Sequence, residues 1–132
     1  MHRTAIHVRW GELDPYHHVN HATYLTYLEH ARISALDSIG WGMEELAERG
    51  YQVVVVEIAV RFRAPATAGD ALVVETWLEE LRGASSRWGQ RVLRGDEVVL
   101  EATVRAASTA LDGRPVRTPE AFLTALATLA PG

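Results

Sequence analysis

Residues 12–32 read ELDPYHHVNHATYLTYLEHAR, and the division of that stretch decides the fold. Just upstream, TAIHVRWGEL (4–13) alternates, with Ile6, Val8 and Trp10 on one face, as a half-buried strand does. Pro15 has no N–H to give a ladder and ends that strand. Asn20 is a helix N-cap by type, able to accept from the free N–H of Ala22 or Thr23. From His21 to about Ile39 the spacing becomes helical, through Leu25, Leu28, Ala35 and Ile39. Tyr24, Tyr27, Ile33 and Leu36 widen the apolar surface well past one stripe, so this helix expects neighbours on several sides. Gly40 stops it.

Beyond this helix, MEELAERG (43–50) reads as a short second one, and four strands follow at turn-separated intervals. They are YQVVVVEIAVRFRA (51–64), ALVVETWLEELR (71–82), SSRWGQRVLR (85–94) and EVVLEATVRAASTAL (97–111). RGDE at 94–97 is a tight turn with Gly95 supplying positive φ. DGRP (112–115) ends the last strand, and TPEAFLTALATL (118–129) opens a terminal helix with Thr118 as cap and Pro119 at the first helical position. One strand, a long helix, then consecutive strands argue for a single α+β domain with an antiparallel sheet, covering residues 1–132. Ala102, Val104, Ala106, Ser108 and Ala110 share one face of the last strand, and side chains that small let a sheet curl closely around the helix.

The bulk composition narrows the function classes. The chain has 132 residues, 48% hydrophobic and 23% charged, with net charge −4, which gives no basic surface for nucleic acid. It has no cysteine, so thiolate chemistry and disulfides are excluded. All thirteen basic residues are arginine, which excludes a Schiff-base lysine. No stretch approaches the roughly 20 apolar residues of a membrane span, and no signal peptide opens the chain, so a cytoplasmic protein is expected.

Asp14, His18, Val19, Asn20, Tyr24, Glu29, Ala31 and Arg32 fall in register on the signature D-x-x-G-H-V-N-x-x-x-Y-x-x-x-x-E-x-A-R. FRAPATAGD (62–70) matches a second pattern, F-x-x-P-x-x-x-G-D. In both the sequence resembles the hot-dog-fold acyl-CoA thioesterases of the 4-hydroxybenzoyl-CoA thioesterase and Tol-Pal-associated types. The resemblance implies a five-stranded antiparallel sheet wrapped around one long central helix. It implies Asp14 as nucleophile or general base, a backbone N–H near His21 or Ala22 as oxyanion donor, and His21 as an assisting side chain. It further implies a homodimer or homotetramer with sites at dimer interfaces, and coenzyme A entering only as part of the substrate. One departure stands out: His17 occupies the position of the family's glycine.

The residues support that chemistry on their own terms. Pro15 biases Asp14 towards an extended backbone. The helix six residues on begins with unpaired N–H groups, which suit an oxyanion. Taken alone, Asp14-Pro15 is equally a turn former, and Asn20 is above all a cap. Three histidines, His17, His18 and His21, could in principle bind zinc, but His17 and His18 are adjacent and point apart and no cysteine completes a set, so no metal is expected. Tyr24 and Glu29 are expected at the substrate, with Glu29 also able to pair with Arg32. Arg82 and Arg87, with Ser85 and Ser86 between them, are candidates for the CoA phosphates, ahead of Arg61 and Arg63. Two other readings stay open. A hot-dog hydratase or dehydratase would have histidine five after the aspartate, where Val19 stands. A non-catalytic acyl-thioester-binding protein would keep the fold without the reaction.

Overall fold

The structure, a computed structural model, describes residues 1–132. Its elements in chain order are β1 (His2–His7), α1 (His21–Ser38), α2 (Met43–Glu48), β2 (Tyr51–Phe62), β3 (Ala71–Arg82), β4 (Ser85–Arg94), β5 (Glu97–Ala110) and α3 (Glu120–Leu126). All strand pairs are antiparallel and the spatial order is β1-β3-β4-β5-β2. This is the expected hot-dog arrangement, a five-stranded sheet packed about one long helix.

Alternation along each strand sends one set of side chains to α1 and the other to solvent. Leu72, Val74 and Val92 point inward and meet Leu28 and Ala31 of α1, both fully buried. Nearer the helix C-terminus, Ala35 and Leu36 pack with Trp88, Val104, Ala106 and residues of α2 and α3. The small inward face of β5 is as read: Ala102, Val104, Ala106 and Ser108 are all buried. On the outer face, opposed residues form a charge row across the sheet, Arg3–Glu75–Arg91–Glu101–Arg61. Burial pushes the Glu75 carboxyl up, but hydrogen bonds from Arg91 and Arg3 outweigh it and hold the group below its ordinary range.

Two of the boundaries that differ from the sequence reading have a visible local cause. The first strand ends at His7, and Trp10–Glu12 form a 3₁₀ turn with Trp10 76% exposed rather than beside Ile6 and Val8. The cause is local: the Glu12 carboxylate accepts the Arg9 N–H at 2.8 Å and winds the chain. At the other end Pro119, not Thr118, is the N-cap of α3, and the buried Thr118 hydroxyl instead bonds Ser108 at 2.9 Å.

One buried polar group fixes how α1 sits on the sheet. Gln90, 1% exposed, donates to the Leu28 carbonyl and to the Thr76 hydroxyl, both at 3.0 Å. Its carbonyl oxygen accepts from the Arg32 guanidinium at 2.9 Å. Replacing it strands three partners at once, so Gln90→Leu is expected to lower stability by about 2–4 kcal/mol in urea unfolding, despite the added apolar surface.

Candidate active site

A five-residue loop, Asp14–His18, is clamped at its base by an antiparallel bridge between Leu13 and Val19. Below the bridge, the Asn20 N–H donates to the Glu12 carbonyl at 2.8 Å. The chain therefore leaves the loop directly into α1, whose first residue follows the clamped base of the Asp14 loop by two positions. Glu12 is held in turn by the Tyr27 hydroxyl, 2.7 Å from its carboxylate. Burial and that bond raise the Tyr27 pKa, so the phenol stays protonated as a donor.

Within the loop, Asp14 does two things. Its Oδ1 accepts the N–H groups of Tyr16 and His18 at 2.8 and 3.1 Å, closing the turn as a turn-forming aspartate would. Its Oδ2 has no hydrogen bond within the chain, and the residue is half-buried. One oxygen closes the turn and the other is free. His17, next in the turn, has φ +64°, the only positive value outside glycine. A side chain there costs roughly 1–2 kcal/mol against a glycine.

The segment between β2 and β3 buttresses this loop, so the FRAPATAGD stretch packs against the first motif. The Ala66 carbonyl accepts the Val19 N–H at 2.8 Å, and the Thr67 hydroxyl donates to the His17 carbonyl at 2.9 Å. Asp70 ties the segment together. It accepts the Thr67 N–H at 2.9 Å and an Arg94 N–H at 2.7 Å, and the Thr67 and Arg94 bonds hold its carboxyl below the usual range. Thr67 and Arg94 were not singled out in the sequence, because neither carries a signal except through contacts far along the chain.

At the helix start the donors are unequal. Ala22 N–H is taken by the Asn20 side chain at 2.9 Å, and Thr23 N–H by the Asn20 carbonyl at 2.9 Å. Only the N–H of His21 has no acceptor in the chain. Of the helix-start residues Asn20, His21 and Ala22, Asn20 acts as the expected cap, and of the two expected oxyanion donors Ala22 is engaged while His21 has its amide free. The His21 ring is exposed and makes no hydrogen bond within the chain.

The other expected site residues lie in the core, or outside the Asp14 loop and the first turn of α1. Tyr24 is a core residue, 3% exposed, packed on Tyr27 and Phe62 with ring centroids 5.9 and 5.7 Å apart. Its hydroxyl is buried without a hydrogen bond. Glu29 does not pair with Arg32. It lines an apolar groove of ≈ 410 Å³ between α1, α2 and β2, with Ile33, Leu36, Met43 and Val53–Val55. Burial lowers the Arg32 pKa, partly offset by the nearby Glu29 charge. Arg82, Ser85, Ser86 and Arg87 sit at the β3–β4 turn, and the twelve-residue β3 separates that turn from the Asp14 end by roughly 35–40 Å. Ser86 faces inward and accepts from the Trp88 indole at 3.0 Å, while Arg87 pairs with Glu79 and Glu80, both at 3.2 Å. These four residues therefore share no site with Asp14 of the same chain. No three His, Asp or Glu side chains converge as a metal-ligand set.

The family model of the thioesterase-like superfamily matches residues 8–126. The chain belongs to that superfamily. The long-chain acyl-CoA thioesterase FadM of Escherichia coli is 36% identical over 107 residues, which cover 77% of this chain and 78% of that protein. The chloroplastic acyl-acyl carrier protein thioesterase ATL3 of Arabidopsis thaliana is 31% identical over 92% of this chain, which spans 65% of the plant protein. A Thermus thermophilus thioesterase solved with coenzyme A and zinc superposes with a TM-score of 0.83 at 30% identity, covering 96% of this chain and 92% of that one.

The cap at Asn20 supports the whole helix start. Asn20→Ala is expected to cost about 1 kcal/mol in urea unfolding and to slow thioester turnover, because the His21 amide is then on a fraying turn.

Proposed function

We propose that the chain hydrolyses an acyl-CoA thioester to the free acid and coenzyme A. Asp14 serves as nucleophile or as general base, and the His21 N–H as oxyanion donor. The observation that carries this reading is the pairing of a free carboxylate oxygen, on a turn pinned at both ends, with the one unfilled amide of an otherwise capped helix.

The two roles differ only in what attacks. As general base, Asp14 Oδ2 takes a proton from water while the water oxygen adds to the thioester carbon. As nucleophile, Oδ2 adds itself and water later cleaves the resulting anhydride. In both, the carbonyl oxygen gains negative charge where the His21 N–H and the positive end of α1 are fixed in advance, and removing one such donor typically costs about 2.7–4 kcal/mol. The bond to sulfur then breaks and the thiolate leaves. His21, exposed and unpaired, can steer the water.

The acyl group has a route along α1. His21, Leu25, Glu29, Ile33 and Leu36 fall on one face of the helix at spacings of three and four, leading from the reacting end into the apolar groove. That face is open on the side of the edge strand β2, where Val54, Val55 and Val56 are 38%, 46% and 57% exposed. An unpaired apolar edge is a template for another strand, and we take a second copy of this chain, as homodimer or as half of a homotetramer, to be what covers it. Antiparallel pairing of two β2 edges turns the far end of one sheet toward the Asp14 end of the other, so that Arg82 and Arg87 of one copy can serve a carrier held by its mate. Acyl-CoA pools place the enzyme in the cytoplasm.

Asp14→Asn keeps an oxygen for the Tyr16 and His18 amides but loses the base. It is expected to unfold at the same urea concentration as the parent while thiol release from acyl-CoA falls about 10²–10⁴-fold; near-parental rates would refute the role. For the assembly, light scattering should give at least twice the single-chain mass, and Val55→Lys should shift it to the monomer. A parental sample that is monomeric and fully active would contradict the paired edge.

A further inference from the structure

The concavity on the outer side of the Asp14 loop, ≈ 400 Å³, is lined by Tyr16, His17, His18, Thr67 and Arg94 among others. Three of its lining residues belong to the Asp14 loop itself, so the carrier of a thioester reacting at Asp14 has this concavity beside it. Arg94 is already engaged by Asp70 and the Pro65 carbonyl. The imidazoles of His17 and His18, by contrast, make no hydrogen bond within the chain.

His17 is the singular member of this set. Its backbone is held on both sides, the N–H by the Asp14 carbonyl at 3.0 Å and the carbonyl by the Thr67 hydroxyl at 2.9 Å. That grip keeps φ at +64°, where glycine would sit without strain. Its ring meets the exposed Trp10 edge-on, 6.4 Å between centroids at 85°. The chain thus keeps a side chain where the backbone favours none, orients its ring, and leaves its donor empty at the mouth of a concavity. Strain retained beside a reacting group points to a use for the strained residue.

We infer that His17 is a carrier-recognition residue, its imidazole donating a hydrogen bond to the phosphopantetheine arm of the thioester substrate. The arm suits the place because its amide carbonyls, hydroxyl and phosphate all accept hydrogen bonds, and an unpaired imidazole has an N–H to give. The assignment rests on the thioesterase reading above and adds to it the residue that selects a full carrier over a truncated one.

The test compares the parent, His17→Gly and His17→Gln on one acyl group carried either by coenzyme A or by N-acetylcysteamine, which lacks most of the arm. The kcat/KM ratio of the CoA thioester to the truncated one is expected to fall about tenfold in His17→Gly, through KM, as one lost hydrogen bond would do. Thermal unfolding of the same variant should rise by roughly 2–6 °C as the strain is released. His17→Gln, which restores a donor at the same backbone position, should recover the ratio to within about threefold. An unchanged ratio in His17→Gly, or a glutamine variant no better than glycine, would overturn the assignment while leaving the hydrolase intact. A parent inactive on both thioesters would remove the thioesterase reading, and this one with it.

Discussion

The contact on which the site depends is the clamp at the base of the Asp14 loop, where Asn20 N–H meets the Glu12 carbonyl and Val19 N–H meets Ala66. Without it, the loop and the helix would be two independent pieces of chain, and the carboxylate would have no fixed relation to the helix amides. The clamp is backed by buried groups: Tyr27 holds Glu12 from α1, and Gln90 holds α1 to the sheet. Rigid elements thus locate the Asp14 carboxylate on its loop, which is how precise geometry is obtained from otherwise mobile chain.

Donor accounting then narrows the chemistry. A helix start offers several free amides in principle, but here Asn20 takes two of them, one with its side chain and one with its carbonyl. A single amide remains, at His21. The cap therefore both stabilises the helix and leaves one position at which negative charge is welcomed. The carboxylate divides its labour in the same way, with Oδ1 bound to the turn and Oδ2 free.

Much of this was legible in the sequence because it is local. The change of period at Asn20, the width of the apolar surface on the helix and the small face of β5 each follow from neighbouring residues, and the structure has all three. What was not legible depends on distance in space. Trp10 continues the alternation of a strand, yet the Glu12 carboxylate turns the chain before it can pair. Ser86 and Arg87 stand side by side in the sequence as a basic, hydroxyl-bearing turn, and only cross-strand register shows that Ser86 faces inward while Arg87 lies beside two glutamates. Thr67 and Arg94 matter only because the β2–β3 connection folds back on the Asp14 loop. His17 was visible as a departure from the glycine of the resembling family, and its backbone angle turns that departure into a physical cost.

The most direct measurement is a crystal structure with a non-hydrolysable acyl-CoA analogue, in which a methylene separates the carbonyl from sulfur. The carbonyl oxygen is expected within hydrogen-bond distance of the His21 N–H, with Asp14 Oδ2 facing the carbonyl carbon or a water poised against it. A carbonyl held away from both groups, with the acyl chain outside the groove along α1, would contradict the central claim.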